Sequence, residues 1–141
     1  MKANILILFL LLFPTLLFSQ NSSTRMFRVS ALSVWEADVQ RWRGWEDATG
    51  VITMDFRSGN PTIGLHFQNK SYTFAILDSE EEQGQTNNGE LFNAITYTVI
   101  SASFPQRHEI TLRRFTNSGN IEVFFFFPDN TAIVFAVTRM N

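Results

Sequence analysis

The sequence predicts an all-β protein: one small antiparallel up-and-down β-barrel, or a barrel-like sandwich, of about eight strands, preceded by a signal peptide. Three observations carry this. From Val51 onward, short runs rich in β-branched and aromatic residues replace each other with no helical period between them. The runs are separated by strong turn formers: Arg57-Ser58-Gly59-Asn60-Pro61, Gln68-Asn69-Lys70-Ser71, Asn117-Ser118-Gly119-Asn120 and Pro128-Asp129-Asn130. Each run leads directly into the next, which implies antiparallel hairpins.

The strands are placed at about 26–35, 51–56, 62–67, 72–77, 91–101, 107–115, 121–127 and 131–138. Within 62–67, Ile63, Leu65 and Phe67 share one side and Thr62, Gly64 and His66 the other, the alternation of a sheet with one wet face. The 121–137 hairpin departs from that pattern. Phe124 and Phe126 are as apolar as Ile121, Val123, Phe125 and Phe127, and Ala132, Val134 and Ala136 oppose Ile133, Phe135 and Val137. Both faces therefore need cover, from the N-terminal segment, a second copy or another protein.

Segment 33–43 has two readings. Ser33-Val34-Trp35-Glu36 matches a capping box, with Trp35, Val39 and Trp42 at helical spacing and Gly44 as a stop. Alternatively Phe27, Val29, Ala31 and Trp35 continue a strand, with 37–40 as a hairpin loop before Arg41-Trp42. The polar stretch 78–89 reads as a long mobile loop.

The chain begins with Lys2, an apolar run, and Leu17-Phe18-Ser19-Gln20, in the order of a signal peptide. The apolar block 5–18, broken by Pro14, is shorter than the roughly 20 residues that span a bilayer. The expected organisation is a cleaved signal at 1–19, a flexible N-terminus at 20–25 and the β domain at 26–141, with no transmembrane anchor after cleavage. The expected location is the periplasm or the exterior.

Cysteine is absent, so packing must hold the fold, and twelve of the 15 phenylalanines lie beyond the expected signal to supply it. With Lys2 removed the formal charge goes from −2 to −3, and Lys70 is the one lysine left. No basic stripe appears, so nucleic acid is not an expected partner.

The chemistry-bearing residues are few. All 3 tryptophans, Trp35, Trp42 and Trp45, lie in one segment with Arg41 and Arg43. Aromatic faces there suit a sugar ring, lipid or peptide, and the arginines an anion; the plainer reading is a plug over the barrel end. His108 shares an inward face with Ile110 and Leu112 near a strand end, and joins these five as a candidate ligand-binding residue. No histidine has metal-ligand spacing, so neither metal nor cofactor is expected. No nucleophile elbow or phosphate loop occurs, and catalysis is not expected. The run Glu80-Glu81-Glu82 lacks the alternating oxygens of a calcium loop. Arg113 and Arg114, being adjacent on a strand, point to opposite faces.

In overall plan, a signal ending in Phe18-Ser19-Gln20 and a cysteine-free, Phe-rich antiparallel domain, the chain resembles the small exported β-barrel proteins of the Bacteroidetes. It is also distantly lipocalin-like, with Trp35 after Ser33-Val34 where lipocalins carry Gly-x-Trp. That resemblance implies the architecture, and implies that Arg139 packs across a tryptophan.

Two functions follow as expectations. One is a non-catalytic binding module whose Trp-rich barrel mouth holds a small apolar or amphipathic ligand. The other is a structural or interaction protein that uses Phe124, Phe126, Ile133, Phe135 and Val137 as an interface with a second copy or an envelope partner. A carbohydrate-active enzyme would require two carboxylates converging in an open cleft. If the inward face of the strands is packed solid with phenylalanine and the Trp segment lies across the 121–137 hairpin, ligand binding loses its cavity and its lid together.

Overall fold

The structure, a computed structural model, describes residues 24–141; the expected signal peptide and residues 20–23 lie outside the described residues. Nine strands follow in order: β1 (Thr24–Glu36), β2 (Arg41–Trp42), β3 (Glu46–Asp55), β4 (Thr62–Phe67), β5 (Lys70–Gln85), β6 (Leu91–Ile100), β7 (His108–Phe115), β8 (Ile121–Phe126) and β9 (Ala132–Met140). The sheet order is β2-β1-β3-β4-β5-β6-β7-β8-β9, and an added antiparallel β1–β9 pairing closes eight strands into a barrel, with β2 as an extra short strand.

Backbone chemistry explains the connections. At the β4–β5 turn Gln68 and Asn69 have φ of 53° and 60°. This is the primed hairpin geometry whose twist matches the flanking strands. Segment 33–43 takes the strand form: β1 runs through Trp35 to Glu36, residues 37–40 turn with Gln40 at φ 49°, and β2 returns with Trp42 opposite Trp35. A bulge between Val29 and Ala31 bends β1, so that one strand serves β3, β9 and β2.

Residues 78–89 do not form the expected loop. β5 continues to Gln85, paired with β6 from Asp78↔Thr98 to Gln85↔Leu91, and only the tip beyond Gln85 turns. The stretch looks like a loop because it buries no apolar face, whereas the ladder to β6 is made by the backbone, which polar residues provide as well as apolar ones. β4 ends its pairing at Thr62↔Ala75, so this arm of β5 has one free edge, which Glu80, Glu81 and Glu82 protect by charge.

The interior is filled. Ile52, Met54, Ile63, Val99, Ile110, Val123, Phe125 and Phe135 are all 0% exposed and Phe74 is 1% exposed. Phe125 meets Phe135 edge-on at a centroid distance of 5.5 Å and Phe74 at 5.6 Å. An eight-stranded barrel is just wide enough for side chains to close its lumen, and these rings do so.

Candidate functional site

The β8–β9 hairpin defines the outer wall that matters. Its register pairs Phe125 with Ile133, Val123 with Phe135 and Ile121 with Val137. Phe125, Val123, Phe135 and Val137 are core residues and Ile133 packs against them. Ile133, Phe135 and Val137, expected at an interface, therefore point into the barrel. Both faces of this hairpin are equally apolar, so periodicity does not tell the inner set from the outer. The outward set is Phe124, Phe126, Ala132, Val134 and Ala136.

The chain's own Trp segment covers part of this wall. Arg43 N–H donates to the Val34 carbonyl at 2.8 Å, and the Ser33 hydroxyl donates to the Arg43 carbonyl, pinning the strand after the turn. That places the Trp42 indole 5.5 Å from Trp35 and 5.8 Å from Phe124, both edge-on. Val134 is buried beneath at 3% exposure, whereas Trp42, Trp45 and Phe126 remain 36%, 53% and 38% exposed.

Trp42 separates two recesses. One, of about 510 Å³, has mainly apolar walls that include Trp35, Trp42, Phe124, Phe126 and Ala132. The other, of about 330 Å³, lies between Trp42, Trp45, Arg43, Arg113, Glu122 and Phe124. The tryptophans thus sit on the outside of the wall and not in the barrel mouth. The structure brings Trp35, Trp42, Trp45 and Arg43 together; Arg41 lines neither recess.

His108 is elsewhere. It lies inside at 6% exposure, its Nδ1 2.9 Å from the Gln106 carbonyl, with Phe74, Phe104 and Phe127 around the ring at 5.6, 5.8 and 6.1 Å. Its Nε2 is buried and has no hydrogen-bond partner among the described residues. With those rings it plugs one end of the barrel.

Arg113 organises the outer wall, and nothing in the sequence pattern singles it out. Its guanidinium lies 5.2, 4.9 and 4.7 Å from the centroids of Phe92, Phe115 and Phe124 and bonds Glu122 at 2.5 Å. The partners come from β6, β7 and β8, so only the register brings them together. Beyond it the wall continues into a recess of about 450 Å³ that also has Glu80, Glu82 and Glu109 on its rim. The aromatic floor is therefore bordered by carboxylates.

The other end of the barrel is polar. Arg25, Arg114 and Arg139 line it, at the far end of β1 from Trp35, so Arg139 does not reach the tryptophans. Nearby, burial raises the Tyr97 phenol above its usual 10.0; the Arg25 charge opposes that shift and the Glu81 charge adds to it.

Among the described residues no group of three His, Asp or Glu side chains is gathered to hold a metal ion. Compared with protein-family models, curated proteins and solved structures, the chain matches none of them.

Proposed function

We propose that this chain is an exported, non-catalytic binding module that holds a small amphipathic ligand on the aromatic outer wall. Export rests on the signal-like pattern of residues 1–19. One observation carries the binding reading: after the chain has laid its own Trp segment over the β8–β9 hairpin, Trp42, Trp45 and Phe126 still stand 36%, 53% and 38% exposed around open recesses. Apolar surface that survives self-cover marks a binding face.

The packed interior moves the ligand from the lumen to this wall. Ring faces of Trp42, Phe124 and Phe126 take its apolar side, and Glu80, Glu82, Glu109 and Arg43 accept or supply hydrogen bonds at its polar edge.

A second reading, a protein-interaction face for another copy of the chain, is favoured by the same exposed Phe126. Light scattering joined to native mass spectrometry separates the two. The expected result is a monomer carrying a small-molecule mass that disappears in Trp42→Ala and Phe126→Ser. A ligand-free dimer dispersed by Phe126→Ser overturns the ligand reading and supports the interaction face.

A further inference from the structure

The polar end of the barrel is a second site of different chemistry. Arg25 lies opposite Met54, Arg114 opposite Ile121 and Arg139 opposite Phe27, so all three occupy inward positions where the alternation calls for an apolar plug. They surround a recess of about 420 Å³ whose floor includes Phe27, Leu112, Ile121 and Val137. Among the described residues no carboxylate lies within ion-pair distance of any of the three, and residues 1–23 contain no Asp or Glu. Glu81, at an inward position of the neighbouring arm, is an acid near enough to act with Arg25 on Tyr97, but it makes no ion pair with any of the three arginines.

The opposite end is closed by His108, Phe104 and Phe127, so the barrel is asymmetric. Three like charges around one opening repel each other, and this chain carries net charge −2 overall. A concave apolar floor under them focuses the positive field inward. Guanidinium forks match oxyanions in geometry as well as charge.

We infer that this end binds a single-chain anionic amphiphile, its oxyanion held by Arg25, Arg114 and Arg139 and its apolar chain laid against Phe27, Leu112, Ile121 and Val137. The site is separate from the aromatic wall and does not depend on it.

Calorimetric titration of the purified protein with octyl phosphate, inorganic phosphate and octyl glucoside tests this. Octyl phosphate is expected to bind about tenfold or more tighter than either of the others, because it alone engages both rim and floor. The Arg114→Gln/Arg139→Gln variant should lose about tenfold or more, while Arg28→Gln, on the outer face of β1, should lose nothing. Binding of octyl phosphate by the wild type should also weaken as salt rises. Unchanged binding in the double variant, salt-independent binding, or equal binding of octyl glucoside overturns the proposal. Inorganic phosphate matching octyl phosphate also overturns it, since the site would then take a free anion and not an amphiphile.

Discussion

Replacing Arg113 by Met should destabilise the domain by about 2.5 kcal/mol, from three ring contacts at roughly 0.5 kcal/mol each and about 1 kcal/mol for leaving Glu122 unpaired. The guanidinium sits 4.7 to 5.2 Å from the ring centroids of Phe92, Phe115 and Phe124, and its side chain is 26% exposed against 18% for Glu122. This is neither a free surface pair nor a sealed one. Met keeps most of the packing volume, so the loss reports the charge and not a cavity. For a domain of this size the change corresponds to a fall in Tm of about 10 °C. Urea denaturation followed by tryptophan fluorescence reads it directly, since Trp42 lies 5.8 Å from Phe124 on the same wall. The decisive comparison is Arg113→Met/Glu122→Leu. With both charges gone, no half-buried carboxylate is left without its partner, and the double variant should recover about 1 kcal/mol or more over additivity. Additive losses, or a single-variant loss under about 0.5 kcal/mol, would refute the caged-cation account.

Phe125→Ala should cost about 3–5 kcal/mol in denaturant, because the ring is 0% exposed and wedged between Phe74 and Phe135; a loss under about 1 kcal/mol would mean that the barrel is not filled. Gly50→Ala places a methyl 2.7 Å from the His66 backbone carbonyl oxygen, which cannot rotate away, and should cost about 1–3 kcal/mol; Gly44→Ala meets nothing within 4 Å and should be silent in the same assay. Arg57 holds the exposed Asp55 carboxyl at about 2 instead of 3.8, through its side-chain and backbone hydrogen bonds. A depressed acid contributes stability above 3.8 and loses it as pH falls through about 2, so an NMR titration should show the low midpoint, and Arg57→Ala, which removes the guanidinium and keeps the backbone N–H donor, should raise it part of the way back. An unmoved midpoint in that variant would break the assignment.

Where one face is wet, alternation reads the strands well. The 62–67 strand has the same bounds in sequence and structure, because Ile63 and Leu65 alternate against Thr62, Gly64 and His66. Where both faces or neither are apolar, the period carries no direction. Phe135 and Val137 are indistinguishable in pattern from Val134 and Ala136, and only pairing to β8 orients them. The arm from Asp78 to Gln85 has no buried stripe, so its strand character comes from its backbone pairing to β6, from Asp78↔Thr98 to Gln85↔Leu91. The tryptophan cluster is legible because it is local in sequence. The Arg113 cage and the Arg25, Arg114 and Arg139 rim are not, since each gathers residues from three strands whose register only the folded backbone supplies.

The β1–β9 seam has a consequence for assembly. Among the described residues every other pairing joins strands that are neighbours in the chain, or nearly so, while Met26↔Met140 joins the first strand to the last. Hairpins form in microseconds, but ring closure has to wait for the whole intervening chain and bears its loop entropy. β1 therefore keeps one ladder edge open until β9 is in place, and a truncation that removes only β9 should leave an open, self-associating sheet in place of a smaller barrel.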